Sequence, residues 1–209
     1  MIAGLVLAAG ASTRFGAPKQ LALLDGRPLL EHAVSAMTAA PLDEVVVVLG
    51  ARAKEVRAAV DLGAARVVEA DDWASGQSAS LRAGLATLHG ADAVVIALGD
   101  QPFLSPRSVE ALIGARGNGA QAVRATYAGI PGHPILIERA LLPAIRRLTG
   151  DTGARSILGA AAAAVREVAC DGLGRPDDID TPAELRDAGG AVDATPPTPA
   201  GGPPAADSG

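Results

Sequence analysis

Apolar and polar positions along the chain alternate between two rhythms. The runs AGLVLA, EVVVVLG, ARVVEA and ADAVVIALGD are aliphatic and β-branched and read as buried strands. Between them, PLLEHAVSAMTAA, AKEVRAAVDL, SASLRAGLATL and LSPRSVEALIGA carry helical spacing. Pro28 can occupy a first-turn position of the first helix; in the last, Ser105 is placed to cap and Pro106 to take the first helical position. Strands alternating with short helices predict an α/β domain with a mostly parallel sheet covered on both faces. The stretch Gln121 to Glu138, with YAGIPGHPILIE, breaks the rhythm and predicts a hairpin-like insertion. Helical stretches through LLPAIRRL and ARSILGAAAA and a late strand, VREVAC, close the pattern, and no internal repeat is visible.

Beyond residue 188 the pattern fails. From Gly189 to Gly209, ten of the 21 residues are Pro or Gly, and no large apolar side chain follows Val192. Such a segment cannot bury enough surface to offset its ordering entropy, so a folded domain over 1–188 and a disordered tail over 189–209 are expected. A chain of 209 residues is long enough for one domain with a substantial core. Its 49% hydrophobic content against only 2% aromatic suits close-packed helices on a sheet better than an aromatic binding face. The net charge of −5 shows no basic surface for nucleic acid, and Asp193 and Asp207 in the tail contribute two of those charges. Cys170 is the single cysteine, so no internal disulfide forms and a reducing compartment is expected. The apolar run from Met1 to Ala11 has no preceding Lys or Arg and is too short to span a membrane, so the expected location is cytoplasmic, without membrane association.

Candidate chemistry begins with LAAGASTRFGAPK. A dinucleotide fingerprint requires G-x-G-x-x-G, but Gly10 and Gly16 are separated by five residues. A P-loop requires its lysine directly after the second glycine, whereas Lys19 comes three residues after Gly16. Both fail on spacing. What remains is a loop at the carboxyl end of a strand, where open α/β sheets bind ligands. Ala8, Ala9, Gly10 and Ala11 allow close approach to backbone amides, and Arg14 and Lys19 supply cations where a triphosphate would lie. Small residues also serve a tight strand-to-helix turn, and the residues alone do not choose between the two.

Three further stretches stand out. In VVIALGDQPF, Asp100 follows a buried strand; a carboxylate there suits Mg²⁺ or caps a turn. In DDWASGQSASLRAG, a helix start with free amides favours anions, and Ser78 or Ser80 can donate to a ligand or cap the helix. Trp73 in this stretch reads as packing at the loop base. In DIDTPAEL, Thr181, Pro182 and Glu184 form a capping box that leaves Asp180 unexplained.

Taken together, LAAGASTRFGAPKQLALLDGRPLLEHAV resembles the opening signature of nucleotidyltransferases related to the molybdenum-cofactor guanylyl- and cytidylyltransferases. The matching positions are Leu7, Ala8, Ala9, Gly10, Ser12, Arg14, Gly16 and Lys19, followed by Gly26, Pro28 and Leu29; Phe15 stands where methionine is usual. The resemblance covers about residues 3–188. It implies a Rossmann-like three-layer nucleotidyltransferase fold, with Leu7 to Gly10 and Ser12 wrapping the nucleotide and Arg14 and Lys19 on its phosphates. GDQP resembles the family's metal-binding motif, which implies Asp100 as a Mg²⁺ ligand, and the D-T-P motif implies Asp180 as a second. The G-x-S-x-S segment carries Gly76, Gln77, Ser78 and Ser80 into the nucleotide pocket.

GIPGHP and LTGDTGARSIL, with Ala9 and Gln101, resemble the cytidylyltransferase branch. There Gly132, His133, Asp151 and Arg155 would contact a molybdopterin-type acceptor, although His133 also suits a structural histidine and Arg155 a helix surface. The implied reaction is transfer of CMP from CTP to the acceptor, with pyrophosphate leaving and Mg²⁺, Lys19 and Arg14 neutralising charge; the product would pass to a molybdenum hydroxylase apo-enzyme. Transfer to a sugar or polyol phosphate, guanylyl transfer from GTP, and a non-catalytic cofactor-delivery protein are the alternatives.

Overall fold

The apolar runs become the strands of one seven-stranded sheet in the computed structural model, which describes residues 1–160 and 164–191. β1 (Ile2–Ala8) leads through a 3₁₀ turn (Lys19–Leu21) and two short strands, β2 (Leu23–Leu24) and β3 (Arg27–Pro28), into α1 (Leu29–Thr38). β4 (Glu44–Leu49), α2 (Ala53–Ala59), β5 (Arg66–Glu69), α3 (Gln77–Thr87), β6 (Ala93–Leu98) and α4 (Pro106–Gly114) follow. A hairpin of β7 (Ala122–Tyr127) and β8 (Ile130–Glu138) precedes α5 (Leu142–Ile145), α6 (Ala154–Ala160), β9 (Val165–Ala169) and α7 (Pro182–Asp187). Among the described residues no helix is long and apolar enough to cross a membrane.

The strand order is β5-β4-β1-β6-β8-β7-β9. β1 pairs in parallel with β4 on one side and with β6 on the other, Leu7 lying beside both Val48 and Leu98. The chain leaves β1 toward β4 and β5, then returns to β6 on the opposite side, so the carboxyl ends of β1 and β6 flank a topological switch point. That is where an open α/β sheet offers a crevice. The side-chain period of two divides each strand between two cores. Val45, Val47 and Leu49 face α1 and α2 through Val34, Met37 and Val56, whereas Val46 and Val48 face α3 through Leu81 and Leu85. A third, smaller core of Phe15, Leu24, Leu29, Ile179 and Leu185 holds the first loop against α7. Phe15, in the methionine position, is a core residue there.

Three features differ from the sequence expectation. The hairpin is built into the sheet, because β8 pairs antiparallel with β6 and β7 pairs in parallel with β9. Its inner faces are apolar, with Val123, Leu136 and Ile137 fully buried, and so they are covered as central strands. The stretch expected as a helix through LLPAIRRL contributes only a 3₁₀ turn and the four-residue α5. The folded part also runs past residue 188: Leu23 and Ala191 exchange backbone hydrogen bonds of 2.9 and 2.7 Å, and the Gly190 amide donates to the Leu185 carbonyl. An edge strand two residues long left no periodicity for the sequence to show. Residues 192–209, the rest of the expected tail, lie outside the described residues, as do residues 161–163 of the expected helix. The caps form as the spacing requires. The Ser105 Oγ accepts from the Arg107 amide, and the Thr181–Glu184 capping box is complete.

Candidate active site

The first loop leaves β1 at the switch point and turns back through Ser12, whose φ of 56° is left-handed. Its shape is set from within. Gln20 is only 4% exposed, and its Nε2 donates to the carbonyls of Ala8 (2.9 Å) and Gly10 (3.1 Å). The Ser12 hydroxyl donates to the Gln20 Oε1 at 3.3 Å and accepts from the Lys19 amide at 3.2 Å. Ser12 is therefore a brace of the loop.

Lys19 follows this brace, and its ammonium reaches two carboxylates from distant parts of the chain. Nζ lies 2.5 Å from Asp100 Oδ2 and 2.7 Å from Asp180 Oδ1, while Arg14 holds Asp180 Oδ2 at 2.8 Å. The two segments carrying the carboxylates are tied to each other, since the Ile179 amide donates to the Asp100 carbonyl. Asp180 is fixed by the capping box that follows it: Glu184 Oε2 accepts from the amides of both Asp180 and Thr181. Burial alone would lower the Lys19 pKa, but the charges and hydrogen bonds of Asp100 and Asp180 outweigh it and hold the pKa above its usual value. The Lys19 hydrogen bond holds the Asp180 carboxyl below the ordinary range, assisted by the charges of Lys19 and Arg14 and opposed by slight burial. Asp100 Oδ1 is buried and, among the described residues, accepts no hydrogen bond. Two carboxylates drawn together around one cation, with a buried oxygen left over, form a donor set suited to a hard divalent ion. Among the described residues no group of three or more His, Cys, Asp or Glu side chains could hold a metal.

The opposite wall is the start of α3. Gly76, with φ 111°, is crossed by the backbone of Gly150 and Asp151 so closely that a Cβ would lie 2.4 Å from the Gly150 carbonyl. Ser78 is fully buried, and its Oγ donates to the Gly150 carbonyl at 2.7 Å. Asp151 Oδ1 accepts from the Gln77 amide at 3.3 Å. Between this wall and the first loop opens a cleft of about 770 Å³. Its surface includes Leu7, Ala8, Ala9, Gly10 and Lys19 on one side and Gly76, Gln77, Ser80 and Asp151 on the other, with Asp100 at the base. Trp73 packs over Gly50 and Ala9 and also lines this cleft.

A smaller cavity of about 200 Å³ adjoins the cleft, sharing Leu7, Gln77 and Leu98 with it. His133, Arg155 and Asp178 contribute its polar groups. Burial, then the charge of Arg155, push the His133 imidazole down to about 4, and its Nδ1 has no hydrogen-bond partner among the described residues. Burial and the charge of Asp100 raise the Asp178 carboxyl, against a 2.6 Å hydrogen bond from Gln101.

The sequence-derived residues thus converge, with four exceptions in placement. Ser12 and Ser78 act as internal braces. Arg14, 72% exposed, lies on Asp180 outside the cleft wall. Gly132 touches neither cavity and sits against the Tyr127 ring. The sequence reading missed Gln20 and Asp178. Gln20 was legible as a lone polar residue between Lys19 and the apolar LALL; Asp178 is one of three aspartates in PDDID, and nothing local distinguishes it.

Known proteins share this architecture. The model of the MobA-like NTP transferase domain matches residues 4–166. The chain is 36% identical over 189 residues to the nicotine blue oxidoreductase of Paenarthrobacter nicotinovorans, covering 86% of this chain and 92% of that protein. It is 39% identical over 131 residues to a 2-C-methyl-D-erythritol 4-phosphate cytidylyltransferase of Ralstonia nicotianae, covering 57% of this chain and 52% of that protein. The crystal structure of Rv0371c from Mycobacterium tuberculosis H37Rv superposes with a TM-score of 0.81 at 36% identity, over 90% of this chain and 96% of that one. The same protein in complex with manganese superposes with a TM-score of 0.77 at 34% identity, over 90% and 97%.

Proposed function

Because the chain belongs to the family of MobA-like NTP transferase domains, we propose that it transfers CMP from CTP to a molybdopterin-type acceptor with release of pyrophosphate. The single observation that carries this reading is the meeting of Lys19, Asp100 and Asp180 beside a cleft walled by a small-residue loop. A triphosphate lying in that cleft has its charge beside Lys19, and its base and sugar against Ala8 to Gly10. The acceptor enters from the smaller cavity, where His133, Arg155 and Asp178 offer donors and acceptors to a planar polar ring. Cytidine is favoured by Ala9, by Gln101 and by the GIPGHP and LTGDTGARSIL segments, and one relative is named a cytidylyltransferase.

In the reaction a terminal phosphate oxygen of the acceptor attacks the α-phosphorus of CTP in line. A new P–O bond forms as the bond to the β-phosphate breaks, and pyrophosphate leaves with the electron pair. No covalent enzyme intermediate is required, so positioning and charge neutralisation carry the rate. Mg²⁺, held by Asp100 with Asp180, would neutralise charge on the triphosphate and the leaving group, and the manganese complex of a relative supports the use of a divalent ion. Lys19 holds the phosphates, Arg14 steadies Asp180, and the Gly76 wall fixes the nucleotide's orientation. The product passes to a molybdenum hydroxylase apo-enzyme in the cytoplasm.

The test is pyrophosphate release with each of the four nucleoside triphosphates, Mg²⁺, and molybdopterin-type, sugar-phosphate or polyol-phosphate acceptors. Release with CTP and the molybdopterin-type acceptor alone is expected; release with another pair reassigns the substrates. The name of the nicotine blue oxidoreductase favours a second reading, a redox enzyme. Turnover of nicotine blue with a reduced nicotinamide cofactor, without pyrophosphate release from any pair, would establish it instead.

A further inference from the structure

The structure assigns to Gln20 the role of a positioning residue that sets the first loop for its ligand, an inference that rests on the nucleotide reading of the cleft. The 3₁₀ turn at Lys19–Leu21 sends two neighbouring side chains in different directions, Lys19 to the carboxylates and Gln20 back beneath the loop. A primary amide has two N–H donors and one carbonyl on a single plane. At Gln20 the Nε2 serves the Ala8 and Gly10 carbonyls, and Oε1 receives the Ser12 hydroxyl. Among the described residues, every hydrogen bond that this buried side chain makes is to the loop.

The consequence lies on the other edge of each peptide. In a trans peptide the N–H points opposite to the C=O. Holding the carbonyls of Ala8 and Gly10 therefore turns the amides of Ala9 and Ala11 away from Gln20. Among the described residues, the amides of Gly10, Ala11, Ser12 and Thr13 donate to no protein acceptor, and all but Ser12 belong to the surface of the cleft. A run of unpaired amides in a turn containing a left-handed residue is a concavity for anionic oxygens. Gln20 fixes its shape without carrying charge, and its neutrality matters because two carbonyl oxygens face it.

Only a neutral donor can occupy this position. Glutamate has the same shape, but when ionised it presents two acceptors to the Ala8 and Gly10 carbonyls and cannot hold them. When protonated, it regains one O–H donor and holds one of the two. Methionine fills the space and donates nothing at any pH. Gln20→Glu thus makes the loop's competence depend on a proton that the natural residue does not need.

The experiment measures calorimetrically the affinity of the full chain for each Mg²⁺–nucleoside triphosphate at about pH 6 and about pH 8, with thermal unfolding alongside. Variant affinities are divided by wild type at the same pH, which removes the titration of the nucleotide itself. Gln20→Met is expected to bind about tenfold or more weakly, by the same factor at both pH values, from the loss of the two hydrogen bonds donated to the loop and the one accepted from Ser12. Gln20→Glu is expected to be the weaker at about pH 8 and to recover several-fold toward about pH 6. Wild-type affinity in both variants would overturn the role of Gln20. So would a Gln20→Glu deficit that does not change with pH, which marks a merely structural part. A wild type that binds none of the four nucleotides would overturn the nucleotide reading itself, and this proposal with it.

Discussion

Lys19 and Asp100 are 81 residues apart in the chain and 2.5 Å apart in space, joined across the switch point of the sheet. Asp180 completes the contact from the far end of the domain. Had the lysine and Asp100 faced different sides of the sheet, the catalytic reading would have fallen. Their meeting makes each a sharp target. Lys19→Ala or Asp100→Ala is expected to lower turnover about 10²–10³-fold, the usual effect of removing one preorganised electrostatic group. Pyrophosphate release measures it, and circular dichroism checks that the fold survives.

Gly10 separates binding from folding. A Cβ added there meets nothing within 4 Å, so Gly10→Ala should leave stability unchanged within about 0.5 kcal/mol. Gly10 itself lines the cleft. The nucleotide KM should therefore rise while the melting temperature holds, as steady-state kinetics and thermal unfolding would show together.

Gly76 should behave in the opposite way. Its positive φ and the Gly150 backbone leave no room for a Cβ, so Gly76→Ala must displace either the start of α3 or the Gly150 segment, and with it that wall of the cleft. A destabilisation of about 1–3 kcal/mol is expected, with loss of nucleotide affinity. Denaturant titration reads the first and calorimetry the second.

His133 gives a stability signature in acid. A base whose folded pKa lies below its unfolded value takes up protons more readily when unfolded. With His133 near 4 when folded against an ordinary 6.5, its contribution is complete above pH 6.5 and is lost as the pH falls toward 4. The loss amounts to at most about 3 kcal/mol. His133→Asn, which cannot titrate, should flatten this part of the profile measured by chemical denaturation between pH 7 and 4.5.

The Thr181 cap links a helix end to the Asp180 carboxylate. Thr181→Ala is expected to cost about 1 kcal/mol. Because Glu184 in the same box also holds the Asp180 amide, turnover should fall by more than the stability loss explains. Comparing the two by denaturation and by pyrophosphate release checks the link.

The sheet was legible because ADAVVIALGD and EVVVVLG carry their burial in their composition, and the capping signals at Ser105 and Thr181 act within a few residues. The site residues on the loops were legible mainly through motif resemblance, since the spacing of Gly10 and Gly16 fits neither common phosphate loop. What escaped depends on contacts between distant segments. Ser78 reads as a ligand donor until the Gly150 carbonyl is placed above it, and Ser12 until Gln20 is placed beneath it. Likewise the pairing of Ala191 with Leu23 joins two stretches that carry no strand pattern of their own.

β8 runs against its neighbour β6, and this reversal inverts which end of a strand supplies chemistry. β1 and β6 reach the cleft with their last residues, but β8 arrives with its first ones, and so His133 stands beside Leu98. The reverse turn at Ala128–Gly129 therefore rises on the same rim of the sheet as the cleft, with Ile130 projecting into solvent. Lengthening that turn would add chain to this rim while leaving the parallel strands, and the first loop they carry, in place.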